Sequence, residues 1–128
     1  MFVKTDPVLA TVSVTLPDGF VVSRVEIADT SDLRIRGLSW RELVGPETGM
    51  LFVFDWVASH PMWTKQCLVP LDIVWLDVDG NVMRVATVYP GPEILRDLSQ
   101  KSMYVLELGA GQAAAHGVVK GSRIRWDV

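Results

Sequence analysis

The chain has 128 residues, 12 Lys and Arg against 15 Asp and Glu for a formal net charge of −3, and 49% hydrophobic residues with 5 Trp. That length fits one domain burying roughly two-thirds of the surface exposed by the unfolded chain, so the core needs no disulfide or metal staple and the composition argues against disorder. The basic residues are scattered and form no phosphate-tracking stripe, which argues against a nucleic-acid partner.

Met1 to Pro7 shows no basic segment followed by an apolar core and a small-residue cleavage site, so no signal peptide is visible. Apolar runs such as Ile73 to Leu76 are strand-sized, far below the roughly 20 residues of a membrane-spanning helix. The cytoplasm is the default expectation, with an exported form open if a leader was removed. A single Cys excludes an internal disulfide and fits a reducing compartment without requiring one.

Thr11 to Leu16 alternates apolar and polar residues, Pro17-Asp18-Gly19 turns the chain, and Phe20 to Ile27 resumes with β-branched residues, which predicts a β-hairpin. Thr30-Ser31-Asp32 offers N-cap oxygens before a short helix running through Leu43, interrupted by Gly37 where a neighbouring strand would cross closely. Met50 to Phe54 is a continuous apolar run, the pattern of a central strand buried on both faces. Three more strands are expected over Trp63 to Gln66, Asp72 to Asp77 and Asn81 to Val88, the last two joined by a tight turn at Val78-Asp79-Gly80. Met103 to Leu108 reads as a strand, Ala110 to His116 as a short helix closed by Gly117, and Ser122 to Trp126 as a final strand. Many short strands with two or three brief helices predict a single α+β domain over 1–128, a mostly antiparallel sheet curled into a sandwich or partial barrel.

Arg36-Gly37-Leu38, Gly49 to Phe54, Trp63-Thr64-Lys65-Gln66 and Leu68-Val69-Pro70-Leu71-Asp72 occur in that order, followed by Asp79-Gly80 before Val82 and Tyr104 to Leu108 before Gly111. As a set, from about Ala28 to Ile124, these motifs resemble the domain-of-unknown-function family numbered 192, small bacterial and archaeal proteins that often carry an export signal. The resemblance implies a compact α+β fold and no known activity. The family pattern has Met, Asn and Thr where Thr64, Gln66 and Cys67 stand here, which counts against a catalytic role for Cys67.

A thiol triad of Cys67, His60 or His116, and Asp72 lacks a glycine-rich nucleophile turn, and Cys67 among Leu68 and Val69 reads as a small buried hydrophobe. No Cys-x-x-Cys or His-x-x-x-His spacing organises a metal site, and Asp77 to Asn81 has its glycine two positions too early for a calcium loop, so neither metal nor cofactor is expected. Arg36, Lys65, Asp72 and Glu107 are more informative, because each charge lies in or beside apolar chain where an unpaired charge is costly. They should pair with one another or meet a ligand.

If Trp63 to Gln66 is a strand, Trp63 and Lys65 share a face, and the loop containing His60 adds aromatic, hydroxyl and imidazole groups. The candidate ligand set is therefore Arg36, His60, Trp63, Lys65, Gln66, Asp72 and Glu107. The favoured reading is a non-enzymatic binding module for a small polar ligand or a protein partner. A small hydrolase-like enzyme using Lys65 with Asp72 or Glu107 is the first alternative, and a structural assembly domain the second.

Overall fold

The computed structural model describes residues 8–63, 66–91, 94–95 and 101–127. The strands are β1 (Thr11–Thr15), β2 (Val21–Ala28), β3 (Thr48–Ala58), β4 (Met62–Trp63), β5 (Leu71–Leu76), β6 (Val82–Val88), β7 (Ile94–Leu95), β8 (Ser102–Gly109) and β9 (Arg125–Trp126), with short helices α1 (Ser31–Arg36) and α2 (Gln112–Ala115). Seven strands form one sheet in the order β6-β5-β8-β3-β2-β1-β9, and β4 pairs with β7 separately. The sheet is mixed: β2 and β3 run parallel, joined through α1, and the other pairings in it are antiparallel. The architecture is thus the expected α+β half-barrel.

The β1–β2 hairpin forms as its alternation predicts, with Val14, Val22 and Val25 turned into the core. Thr30 caps α1, its Oγ1 accepting the Leu33 N–H at 3.3 Å. The helix is shorter than predicted, stopping at Gly37, whose φ of +50° breaks the helical backbone. A Cβ there would lie 3.3 Å from the Phe52 ring, so a β3 side chain does approach the helix at this glycine. Of the strand expected over Trp63 to Gln66, Trp63 lies in β4 and Gln66 lies in a turn, while residues 64–65 fall outside the described residues.

Two cores lie on opposite faces of the sheet. On one face Val14, Val22, Leu51, Val74, Leu106 and Leu108 pack with Ala113, Val118 and Ile124. On the other, Met50, Phe52, Ile73, Trp75 and Val105 pack with Leu38, Met62 and Cys67. All six residues of β5 are buried, which a strand covered on both sides requires. Each fully buried large apolar side chain contributes about 1.5–3 kcal/mol.

The C-terminal segment draws the two edges of the sheet together. Arg125–Trp126 pairs with β1, while Asn81 bridges Arg123, Val82 N–H donates to Ser122 O at 2.8 Å and Ile124 N–H donates to Gly80 O at 2.9 Å. This closure explains Gly80 in the β5–β6 turn: its φ is +86°, and a Cβ would lie 2.3 Å from Ile124 O. Among the described residues no helix is long and apolar enough to cross a membrane.

A Gly80→Ala variant is expected to lose about 3 kcal/mol in urea denaturation, from the left-handed backbone and the collision with Ile124. Gly45→Ala, where a Cβ meets nothing within 4 Å, should stay within about 0.5 kcal/mol.

Candidate functional site

Strand alternation decides where the two buried carboxyls point. On β5, Leu71, Ile73 and Trp75 belong to the α1-side core, so Asp72 points to the opposite face with Val74 and Leu76. On β8, Leu106 and Leu108 face the α2 side, so Glu107 faces the α1 side with Val105. The sheet itself separates Asp72 from Glu107.

Asp72 is fully engaged. Its Oδ1 accepts from Thr87 Oγ1 at 2.7 Å, and Oδ2 accepts the N–H groups of Gly111 at 3.0 Å and Ala113 at 2.9 Å. These are the donors at the start of α2, which has no intrahelical acceptor for them, so Asp72 serves as the helix cap from a distant strand. Its side chain is 1% exposed and has no path to the other face.

Glu107 is the opposite case. Its neighbours across the sheet are Met50 on β3 and Ile73 on β5, neither of which can donate a hydrogen bond. The residue is 3% exposed, and Oε2 meets no hydrogen-bond donor among the described residues. Burial of the charged form pushes the carboxyl up to about 8, so at neutral pH it is held mainly as the uncharged acid.

Glu107 lines a cavity of about 270 Å³ between α1 and the sheet. Phe52, Phe54, Leu38, Met62 and Trp63 form apolar walls, and Arg34, Arg36, Ser31, Ser39 and Cys67 are among the polar groups of the lining. Arg34 is anchored: Nη1 donates to Val53 O at 2.8 Å, the guanidinium lies 5.4 Å from the Phe54 ring centroid, and Nη2 is 3.7 Å from Asp55 Oδ2. The Cys67 thiol is pushed up to about 11 by burial and by the nearby Glu107 charge, which leaves it a neutral hydrophobe instead of a nucleophile.

Of the seven residues singled out by sequence, the cavity gathers Arg36, Trp63 and Glu107. His60 is one step removed, its ring stacked 3.6 Å from that of Phe54 and its Nε2 3.1 Å from Trp56 O; burial holds its pKa below the ordinary value. Gln66 contributes backbone, its carbonyl accepting the Trp40 N–H at 2.8 Å, while its side chain is exposed. Lys65 lies outside the described residues. The imagined thiol triad does not assemble: His116 stacks on Phe20 and pairs with Asp18 at 2.8 Å, and Asp72 faces away from Cys67. Among the described residues no group of three His, Cys, Asp or Glu could hold a metal ion.

Sequence reasoning missed Arg34, Phe52 and Phe54 as site residues. Arg34 carries no local signal, because an arginine on a short helix is ordinarily a solvated one. Phe52 and Phe54 read as core, and only the vacancy beside them makes them walls.

A curled α+β half-barrel with an acid-bearing apolar cavity on one face of its sheet defines a small domain with an internal space of ligand size. The chain belongs to the DUF192 family (Uncharacterized ACR), whose model matches residues 13–126. It is similar to the solved structure of a protein of unknown function from Novosphingobium aromaticivorans, with a TM-score of 0.80 and 31% identity over 92% of this chain and 85% of that one. It is also similar to a candidate transcription regulator from Sinorhizobium meliloti, with a TM-score of 0.85 and 29% identity over 95% and 98% of the two chains. A comparison with curated proteins found no match.

Two outcomes follow for the carboxyls. Asp72→Ala orphans two buried N–H groups and should cost about 3 kcal/mol in urea denaturation. For Glu107 the folded-state pKa of about 8 lies above the ordinary value of 4.5, so between those values the native state holds a proton that the unfolded state has released. Stability therefore falls as pH rises from about 4.5 to about 8 and levels off above, by a total on the order of 5 kcal/mol. The depressed His60 works against folding below its ordinary value of 6.5, so the difference between wild type and Glu107→Gln across pH isolates the Glu107 contribution. A flat difference would mean that Glu107 is not buried as an acid.

Proposed function

We propose that this domain is a non-enzymatic binding module whose site is the cavity between α1 and the sheet, and that it takes a small polar ligand. The observation that carries the reading is Glu107 Oε2, a buried polar atom without a donor among the described residues, on a carboxyl that lines a ligand-sized apolar space. Buried polar groups with a purely structural role are ordinarily hydrogen-bonded. Asp72 in the same sheet shows that this fold can supply such bonds, three of them. Apolar walls with few polar groups are the usual composition of small-molecule sites.

Binding is favoured over catalysis because the groups that acid-base or nucleophilic chemistry would need do not converge among the described residues. The Cys67 thiol is held neutral and Asp72 is spent on α2. The regulatory description of the Sinorhizobium meliloti relative is compatible with ligand sensing. The net charge of −3 favours a small molecule over nucleic acid as the species bound by this domain. A side chain offered by a protein partner is the second reading, favoured by the 41% exposure of Trp63 on the cavity wall.

The test is a thermal-shift screen with sugars, nucleotides, organic acids, amino acids and amines, on the wild type and on Ile35→Trp. Ile35 lines the cavity yet is 60% exposed, so the larger ring obstructs the space without entering the core. A true ligand at a hundredfold excess over its Kd should raise the wild-type Tm by about 10 °C and leave the variant unmoved. Absence of any shift across the panel would overturn the small-ligand reading.

A further inference from the structure

The polar groups of the cavity are unequally placed, and if the cavity is a binding site as proposed above, their placement selects among polar ligands. Glu107 is flanked in the sheet by Met50 and Ile73. Among the described residues, the titratable and charged groups facing the same space are Cys67 from the segment after β4, and Arg34 and Arg36 from α1. β3 contributes Met50, Phe52 and Phe54 to the core on this face, and β5 contributes Leu71, Ile73 and Trp75. The Arg34 guanidinium is tied to Val53 O and to Asp55. Val53 lies three residues along β3 from Met50, a separation of roughly 10 Å in an extended strand. The anchored Arg34 is therefore set along the strand from the buried acid, with the Phe54 ring against its guanidinium.

We propose that the cavity binds a small organic ammonium ion with an apolar body, its ammonium donating to the Glu107 carboxylate and its body lying against Phe52 and Met62. A carboxylate ligand would place a second acid beside the first. An amide could donate a hydrogen bond to the neutral acid but brings no charge to stabilise the carboxylate form. An ammonium ion does both, and the neighbouring aromatic faces favour a cation.

The reaction balances as R–NH3+ plus Glu107–COOH giving the ion pair R–NH3+···−OOC–Glu107 plus one released proton. Because the free carboxyl is pushed up to about 8, affinity should rise about tenfold per pH unit below that value and level off above it.

Isothermal titration calorimetry at pH 6, 7 and 8 tests this with three probes that share a phenyl body: 2-phenylethylamine, 3-phenylpropanamide and 3-phenylpropanoate. The expected result is that the amine binds about tenfold tighter at pH 7 than at pH 6. Titrations in buffers of different ionisation heat should show about one proton released at pH 7, and the amide and carboxylate should bind weakly or not at all. Glu107→Gln, which mimics the neutral acid in shape and so keeps the fold, should lose amine binding. Binding of the amide or carboxylate without the amine would overturn the ammonium inference while leaving the cavity as the site. Amine binding independent of pH, without proton release, or unchanged in Glu107→Gln would also overturn it. If no probe binds and the broader ligand screen is silent as well, both this inference and the small-ligand reading fall.

Discussion

A sheet covered on both faces gives its central strands no access to bulk water, and this constraint governs every polar side chain they carry. In β5 all six residues are buried, and in β8 the four residues from Val105 to Leu108 are buried. A carboxyl placed there must find donors inside the protein or give up its charge, because an isolated ionised carboxylate in an apolar interior is too costly to keep. The two buried carboxyls of these strands take the two different solutions. They do so on opposite faces because successive residues of a strand point in opposite directions.

Asp72 finds donors and thereby organises one face. The helix it caps spans only Gln112–Ala115, far too short to be stable alone, so α2 exists because Asp72, Ala113 and the surrounding core hold it in place. Glu107 has Met50 and Ile73 as its cross-strand neighbours, finds no donor for Oε2 among the described residues, and gives up its charge. The same apolar surroundings that neutralise it are the walls of the cavity. Local instability and candidate function therefore have one physical origin: a buried carboxyl oxygen that meets no donor among the described residues.

Several of these features were legible in the residues. The alternation in Thr11 to Leu16, the Asp-Gly turn at Asp79-Gly80 and the apolar run Met50 to Phe54 report local preferences that tertiary packing did not override. Glu107 and Asp72 stood out because charges inside apolar strand sequence require explanation. Their roles were not legible, since the sequence pattern of the two strands is alike and only the neighbours differ. Arg36, Trp63 and Glu107 meet across chain separations that no local spacing encodes, and Arg34 joined them only because α1 crosses beside Val53 and Phe54. The strand expected over Trp63 to Gln66 is extended at Trp63 and has reached a turn at Gln66, whose carbonyl accepts the Trp40 N–H, while the face expected to be shared by Trp63 and Lys65 involves residues outside the described ones.

From the stretch His60 to Val82, the sequence alone determined that Cys67 packs as a hydrophobe and that Asp77 to Asn81 makes the turn. Those outcomes follow from side-chain chemistry and nearest neighbours: Asp77 Oδ1 accepts the N–H groups of Asp79 and Asn81, and Gly80 adopts φ +86°. Tertiary structure alone decided that Asp72 is a helix cap and Glu107 a cavity acid. That assignment depends on which donors distant segments bring to each face of the sheet, and the N–H groups of Gly111 and Ala113 reach one face while none among the described residues reaches Glu107 Oε2 on the other.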